Sequence, residues 1–268
     1  GMVLTPGGRR LVPIASQMVG LAVEAEAVIR QARGAPEQLR VVATNDVAES
    51  VGPALVAAFD RRSKAVDVSL GVASSFTMAA LLQERLADVA LGPRLSAEGS
   101  PPLESSALFR YRLIFVASPA HHLASSDMIE PGALSRETWL VGPEAADEGS
   151  PVRSVLSRLA VADESIRVFP SQAEALSAAE HGHGIAPAVS HVVLDDPERT
   201  GLSALPVRGT PIEMLWHVTM LSAERRPLAA GAFHRFVSTP AATHAMRFPL
   251  RGVRPSQFRP PVYVTIWN

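Results

Sequence analysis

This sequence of 268 residues has no cysteine, few aromatic residues and no excess of charge of either sign. Without cysteine there are no disulfides and no thiolate chemistry, a composition that suits the cytoplasm. The formal net charge of −1 provides no general attraction to nucleic acid. No continuous apolar run reaches the roughly 18 to 20 residues of a membrane span, and the N-terminus has no signal-peptide core. We therefore expect a cytoplasmic protein with no membrane partner.

What is present is typical of a globular protein. Hydrophobic residues make up 47% of the chain and charged residues 19%, which excludes a disordered protein. The length is sufficient for one large domain or for two lobes, each with its own core. Lys64 is the only lysine among 25 basic residues. Together with abundant alanine and valine, this bias towards arginine is typical of a bacterial genome rich in G and C.

The chain opens with a regular apolar pattern. Between residues 11 and 33, apolar residues recur at steps of three and four, which is the spacing of a heptad seam along one face of a helix. The members of this seam are Leu11, Ile14, Met18, Leu21, Ala25, Val28 and Ala32. Gly34 and Pro36 then end the helix. The pattern predicts a dimerisation helix over residues 11–33.

After Gly34, short β-rich runs alternate with helical runs, as in βαβ units with a parallel sheet. The first series has predicted strands at 39–43, 66–72, 89–91 and 111–117 and helices at 46–59 and 75–86. The second has predicted strands at 138–141, 165–169, 184–188, 202–207 and 214–221 and helices at 151–161, 172–181 and 225–237. Two series of similar order predict an α/β fold with two Rossmann-like lobes that meet near residues 117–119.

Several predicted strand-to-helix loops carry helix-capping residues. They are the capping-box pairs Asp46 with Glu49 and Ser171 with Glu174, and the single caps Ser74 and Ser150. Each cap alone is explained by helix stability, at about 1 kcal/mol. In open parallel α/β sheets, however, such loops line the crevice where ligands bind. Converging helix N-termini favour an anionic small molecule, whereas Asp46 argues against an anion beside it.

Short motifs in a particular order carry a family resemblance. They are VLTPGGRRL (residues 3–11), QLRV (38–41), PAL followed by Phe59 (53–59), LLQERLADVAL (81–91), GHGIA (182–186) and LPV (205–207). Over about residues 3–240, their order and spacing resemble LysR-type transcriptional regulators. Residues 3–11 are similar to the end of that family's winged helix-turn-helix, where it leads into the linker helix.

The resemblance implies a periplasmic-binding-protein-like domain, in which two lobes are joined by a hinge of crossing strands and preceded by a long linker helix. The implied division is a wing remnant (1–10), the linker and dimerisation helix (11–33), lobe I (39–117 and 219–243), lobe II (118–218) and a C-terminal tail (244–268). It further implies a small-molecule effector, a homodimer or homotetramer, and no cofactor. Contact with DNA would occur only through an N-terminal domain whose recognition helix is missing from these residues.

The resemblance also places the effector among polar loops of both lobes. The implied effector-binding residues are Thr44, Asn45, Asp46, Ser74, Ser75 and Phe76 in the first lobe and Gly142, Pro143, Ser171 and Gln172 in the second. The tail from residue 247 onwards exceeds the usual length of the family and carries arginines and a strand-like segment, VYVTIW (262–267). We expect this tail to pack as an edge strand on a lobe or a partner rather than to bind a ligand.

An enzyme is the first alternative. The sequence contains no G-x-S-x-G elbow, no P-loop and no H-E-x-x-H motif, so we do not expect catalysis. The histidine pairs at 121–122 and 181/183 lack a specific ligand spacing, so no metal site is predicted. His181 and His183 suit a helix C-terminus instead. The acidic pairs at 147–148 and 195–196 are interpreted as solvated turns.

Two non-enzymatic alternatives share the predicted architecture. A solute-binding protein of the periplasmic type would need export and would have no use for the heptad helix. A regulator without a DNA-reading domain would act by association with other proteins. The heptad seam favours a LysR-type regulator, in which a ligand between the lobes changes how dimers pair on DNA.

Overall fold

The computed structural model describes residues 5–95, 101–194, 201–249 and 262–263. Its first element is helix α1 (Pro6–Ala32), and the hydroxyl of Thr5 accepts a hydrogen bond from the Gly8 N–H at 3.1 Å. The helix begins before the predicted residue 11 because Pro6 lies in its first turn, where no amide donor is required. It ends where predicted, since Gly34 adopts a φ of 86°.

Within the described residues, α1 is the one helix long and apolar enough to cross a membrane by length and composition. The expectation concerned continuous apolar runs, and α1 has none of that length. The helix meets the criterion through its mean hydropathy, because it carries a few charges among many apolar side chains. Signal sequences and core helices meet the same criterion of length and composition.

The first α/β series follows α1. Its elements are β1 (Glu37–Ala43), α2 (Asn45–Ser50), α3 (Gly52–Asp60), β2 (Val66–Val72), α4 (Ser75–Gln83) and β3 (Val89–Gly92). The single helix predicted over 46–59 is two helices that meet at Val51. Pro53 has no amide hydrogen to donate to the preceding turn, so the helix breaks before it.

A long strand, β4 (Leu103–Ala117), leads into the second series. The elements after it are β5 (Trp139–Val141), α5 (Pro151–Arg158), β6 (Ile166–Val168), α6 (Gln172–Glu180), β7 (Ala186–Val189), α7 (Ser190–Val193), β8 (Ser203–Ala204), β9 (Ile212–Leu221), α8 (Leu228–Val237), α9 (Pro240–Arg247) and β10 (Val262–Tyr263). Short 3-10 helices lie at Pro131–Arg136, Pro143–Ala146 and Asp163–Ser165. Strand β4 begins well before the predicted residue 111. The prediction missed its first half because Glu104, Ser105 and Ser106 interrupt the apolar pattern there.

The strand order of the main sheet is β10-β2-β1-β3-β9-β4-β7, with β8 paired to β4. Strands β1, β2 and β3 are parallel, while β9 runs antiparallel to both β3 and β4. Strand β4 places Tyr111 in the core of the first lobe and Leu113 in the core of the second, and Trp216 on β9 returns to the first core. The predicted fold of two α/β lobes joined by crossing strands and preceded by a long helix is confirmed.

The C-terminal part of the described chain completes the first lobe. Helix α9 runs past residue 243, where the α/β pattern was predicted to end, and Met246 is fully buried in the first core. Further on, β10 pairs in parallel with β2 at the edge of the sheet. The other residues of the predicted VYVTIW segment lie outside the described residues.

Candidate functional site

Two adjoining cavities lie between the lobes. The first is a space of about 640 Å³, open to solvent, at the starts of α2, α4 and α5, and is here called the polar cavity because most of its lining residues are polar. The second is a space of about 670 Å³, also open to solvent, between α2, β4, α6 and β7, and is here called the apolar cavity because most of its lining residues are apolar. Asp46, Glu144 and Val152 line both cavities. The two spaces are therefore neighbouring parts of one interlobe cleft.

The predicted helix starts do meet at this cleft. Ser74 caps α4, its hydroxyl accepting from the Thr77 N–H at 3.3 Å, and Ser150 caps α5 by accepting from the Arg153 N–H at 3.0 Å. Both serines line the polar cavity. The tertiary structure thus brings helix starts from opposite lobes to one place, as expected for open α/β sheets.

Asp46 does not form the predicted capping box. Thr44 occupies the N-cap position of α2, and Asp46 lies within the first turn of that helix. The Asp46 carboxylate instead accepts a hydrogen bond of 2.8 Å from the indole Nε1 of Trp216, which stacks on Tyr111 with ring centroids 4.1 Å apart. Burial raises the pKa of Asp46, and the bond from Trp216 partly opposes this shift.

Glu144 is a buried acid that the sequence analysis did not identify. It lies in the 3-10 helix Pro143–Ala146, is 7% exposed, and its Oε2 has no hydrogen-bond partner. Burial, followed by the charge of Asp46, raises the pKa of Glu144 to about 8. A buried carboxyl of this kind is held mostly in its protonated form at neutral pH unless a cation neutralises it.

Asp147 links the two lobes. Its carboxylate accepts hydrogen bonds from the backbone N–H of Ser75 at 2.8 Å and from the Ser75 hydroxyl at 2.7 Å. The interpretation of Asp147 as part of a solvated turn is therefore wrong, because the turn after β5 points this acid at the start of α4. A carboxylate at that position is stabilised by the free amides of the helix N-terminus.

A second carboxylate bridge runs in the opposite direction. Glu49 of the first lobe accepts hydrogen bonds from the backbone N–H groups of Gln172 at 2.9 Å and Ala173 at 3.4 Å, at the start of α6. Burial raises the pKa of Glu49, against the effect of these two donors. Each lobe thus supplies a carboxylate to a helix N-terminus of the other lobe.

The remaining predicted effector residues are distributed around the cleft. Thr44, Asn45, Ser75 and Pro143 line the polar cavity. The Gln172 side chain lines the apolar cavity, but it is engaged within its own lobe by the Gly142 N–H and the Pro187 carbonyl.

Three predicted residues lie further out. Phe76 is 77% exposed and lines a shallow outer cavity, where Arg94 and Glu148 also lie. Ser171 caps α6 by accepting from the Glu174 N–H at 3.2 Å, so this capping position is confirmed. Gly142 and Ser171 do not line any of the three cavities formed by the described residues.

The residues that the sequence analysis missed share a recognisable position. Glu144 and Asp147 follow the carboxyl end of β5, as Thr44 and Asn45 follow that of β1. Their polar side chains were interpreted as a loop composition rather than as cleft residues. Tyr111 lay at the start of a predicted strand, and nothing in the local pattern indicates that it faces the cleft.

The predicted dimerisation seam lies on an exposed face of α1. Leu11, Ile14, Met18, Leu21 and Val28 are each more than half exposed. The opposite side of the helix contacts the end of α4.

That contact depends on a glycine and an ion pair. Gly20 lies against the carbonyl of Glu84 where a side chain would collide with it. Next to it, Arg85 pairs with Glu24 at 2.8 Å. The seam therefore faces away from the body of the protein.

The histidine pair at 121–122 lies next to the carboxylate of Glu137, which the spacing of the histidines did not indicate. Glu137 lies 3.6 Å from Nε2 of His121 and 3.2 Å from Nε2 of His122. However, Nδ1 of His121 accepts a hydrogen bond from the Leu123 N–H at 3.3 Å. An imidazole that binds a metal through Nε2 needs its proton on Nδ1, so this cluster is poorly suited to a metal ion.

The other histidine pair lies where it was expected. His181 is the C-cap of α6, with Nδ1 2.7 Å from the Ser177 carbonyl oxygen, and His183 follows it. The acidic pair at 195–196 lies outside the described residues.

The chain matches a known family over most of its length. Residues 32–241 match the family described as LysR substrate binding domain. An uncharacterized HTH-type transcriptional regulator of Mycobacterium tuberculosis is 30% identical over 272 aligned positions, covering 100% of this chain and 84% of the relative. The RuBisCO operon transcriptional regulator of Allochromatium vinosum is 27% identical over 250 positions, covering 90% of this chain and 79% of the relative.

A solved structure has the same fold. The regulatory domain of CcmR from Synechocystis, in complex with 2-PG, superposes with a TM-score of 0.61 at 21% identity. The superposition covers 75% of this chain and 95% of that chain.

Proposed function

Because this chain belongs to the LysR substrate-binding domain family, we propose that it senses a small-molecule effector between its two lobes, as the ligand-binding part of a cytoplasmic bacterial transcriptional regulator. The observation that carries this proposal is the interlobe cleft, whose two cavities are flanked by reciprocal carboxylate bridges. In the proposed function the effector acts by binding, and no reaction is catalysed. The relatives named above are themselves transcriptional regulators.

The proposed effector site consists of the predicted cleft residues that line the cavities, together with those found from the structure. The predicted members are Thr44, Asn45, Asp46, Ser74, Ser75 and Pro143, and the added members are Tyr111, Glu144 and Val152. Three predicted residues, Gln172, Gly142 and Ser171, support the walls instead. The Gln172 side chain, the Gly142 N–H and the Ser171 hydroxyl are engaged within the second lobe.

Helix α4 supports a route from this cleft to the dimerisation helix. Its first residue, Ser75, is bound by Asp147 across the cleft, and the turn after its last residue holds α1 through Arg85 and Glu24. An effector that changes the arrangement of the lobes would therefore move α4, and α1 with it, relative to the second lobe. The effector can shift this equilibrium only by its difference in affinity for the two arrangements.

The exposed seam of α1 supports association into a homodimer or homotetramer. Two such seams bury their apolar side chains against each other in a coiled-coil arrangement. We further propose that DNA is bound through a helix-turn-helix domain outside the residues of this chain. We propose the domain organisation predicted from the sequence with two changes: the dimerisation helix begins at Pro6, and the first lobe extends through α9 (Pro240–Arg247).

A thermal-shift screen against a broad bacterial metabolite library tests the proposed function. A cleft ligand raises the melting temperature in a saturable manner because it binds the folded state only. Ser75→Ala removes one of the two hydrogen bonds to Asp147 and should weaken that effect. Ser157→Ala, an exposed serine of α5 outside the cleft, is the matched control and should leave it unchanged.

Two results would reject the proposal. One is a folded protein that no library compound stabilises. The other is a stabilising compound whose affinity is the same in the Ser75→Ala, Asp46→Ala and wild-type proteins.

A further inference from the structure

Carboxyl groups from both lobes line the cleft. Asp46, Glu49, Glu144 and Asp147 line the polar and apolar cavities, and no described residue that lines either cavity is basic. Among the residues that line the three cavities, the one basic residue described is Arg94, which lines only the outer cavity. A ligand between the lobes therefore meets carboxyl groups rather than a counter-charge for an anion.

Three of these acids already have donors. Asp147 is bound by Ser75, Glu49 by the start of α6, and Asp46 by the indole of Trp216. Glu144 differs, because its Oε2 is buried, faces no donor and belongs to a residue that lines both cavities. Burying a hydrogen-bond acceptor without a partner costs free energy. A ligand that donates a hydrogen bond to Oε2 would remove this cost.

A second buried acceptor at the polar cavity also favours a ligand that donates hydrogen bonds. The side-chain oxygen Oδ1 of Asn45 is also buried without a hydrogen-bond partner, and Asn45 lines the polar cavity with Glu144. Two acceptors without donors favour a ligand group that carries several N–H bonds. Ammonium and amidinium groups have this property and also supply the missing positive charge.

Two of the helix N-termini that would attract an anion are occupied by carboxylates. Asp147 lies at the N-terminus of α4, and Glu49 lies at the N-terminus of α6. An anionic ligand would have to displace these carboxylates and then remain close to Asp46 and Glu144. Both steps are electrostatically unfavourable in a cleft without a basic side chain among its described lining residues.

The neighbouring cavity suits an apolar body. It is lined by Tyr111, Leu113, Val152, Leu176 and Val193, with Glu144 at the boundary with the polar cavity. Resting on the proposed function, we infer that the effector is a cation with a compact apolar body, such as a primary amine or an amidine, whose charged group binds the Glu144 carboxylate. The apolar body then occupies the space beside Tyr111.

Binding of such a cation is coupled to a proton. The pKa of Glu144 is about 8, and the titratable groups that act on this carboxyl are Asp46 and Glu49 of α2 and Tyr111 of β4. Below that pH the cation must displace the Glu144 proton. Its affinity should therefore rise about tenfold per pH unit from pH 6 towards pH 8 and level off above.

Calorimetry with four probes of matched shape tests the inference. The probes are benzylamine, benzamidine, benzyl alcohol and benzoate. We expect the two cations to bind most tightly at pH 8 and to release a proton on binding at pH 7, which is measured in buffers of different ionisation enthalpy.

Glu144→Gln, which keeps the side-chain shape, should weaken cation binding at least tenfold. Glu148→Gln, an exposed acid outside the two cavities, is the control and should leave it unchanged.

The inference is overturned if benzoate or benzyl alcohol binds more tightly than the cations, if neither cation binds at millimolar concentration, or if Glu144→Gln binds them like the wild type. These failures can be told apart from failure of the proposed function by the metabolite screen. A neutral or anionic compound that binds the cleft would reject the cation and retain the sensor. A screen without any ligand would reject the sensor itself.

Discussion

At the scale of single residues, the cleft is organised by where each carboxyl group finds its donors. Asp46 is positioned by Trp216, and Asp147 by Ser75. Glu144 has no donor at Oε2, and burial together with the charge of Asp46 raises its pKa, so it keeps its proton to a higher pH. Residues of one chemical type thus take different roles, because hydrogen bonding and burial differ at each position.

Asp46 contributes to folding as well as to the cleft. Asp46→Ala leaves the buried indole N–H of Trp216 without an acceptor, so we expect the free energy of unfolding to fall by about 1–3 kcal/mol. Asp46→Asn keeps an oxygen acceptor and should cost much less. Urea denaturation measures the free energy of unfolding of both variants, and Asp127→Ala, at an exposed position, is the control. Equal stabilities of the Ala and Asn variants would show that the bond to Trp216 contributes little.

At the scale of elements, helices α1 and α4 form one connected unit. Gly20 permits the close approach of α1 to the end of α4, and the pair Arg85 and Glu24 holds the two together. The start of α4 lies in the cleft at Ser75. A nine-residue helix therefore touches both the proposed effector site and the proposed dimerisation helix.

The seam of α1 predicts a specific effect on assembly. Leu21 is 51% exposed in the protomer, so Leu21→Glu should leave the fold intact while placing a charge in the apolar seam. We expect light scattering to show a smaller assembly, at lowest the monomer. Val19→Glu introduces the same charge at an exposed aliphatic position off the seam and should not change the mass. An unchanged mass for Leu21→Glu would show that the seam is not the interface.

At the scale of the whole molecule, the lobes are held together by two crossing strands and two carboxylate bridges. Strands β4 and β9 pair from Leu103 with Leu221 to Leu113 with Ile212, which fixes the hinge. The bridges of Asp147 and Glu49 then close the cleft from opposite lobes. Burial of Glu144 between the lobes links the stability of the whole protein to pH.

The stability of the protein should fall as pH rises from 6.5 to 8. In this window the folded protein keeps a proton on Glu144, whose pKa is about 8, while the unfolded chain has lost it. The slope is at most about 1.4 kcal/mol per pH unit for one group. Asp46 and Glu49, whose pKa values are also raised, act in the same direction.

Urea denaturation at several pH values measures this slope. Glu144→Gln should flatten it and raise the stability at pH 8, whereas Glu148→Gln should keep the wild-type slope. Below pH 6.5, three histidines oppose this loss of stability with rising pH, because burial lowers their pKa values in the folded protein. They are His121, His217 and His234. A wild-type stability that does not change between pH 6.5 and 8 would contradict the proposed state of Glu144.

Much of the fold follows from local sequence. The apolar spacing of α1, the alternation of strands and helices, and the caps Ser74, Ser150 and Ser171 all depend on neighbours within a few residues. These features were predicted because periodicity and helix capping act over such short distances. Two features were not predicted, the first half of β4 and the helix break before Pro53. The first forms through pairing with a distant strand, and the second results from the missing amide hydrogen of Pro53.

The roles of the cleft acids were decided by tertiary structure alone. Asp46 and Trp216 are 170 residues apart, and Ser75 and Asp147 are 72 residues apart. No local pattern indicates which acid finds a distant donor and which, like Glu144, is buried without one. The sequence by itself therefore determined the elements, the two lobes and the exposed seam. Only the packing of the lobes decided the charge of the cleft, because burial and hydrogen bonding are properties of assembled surfaces.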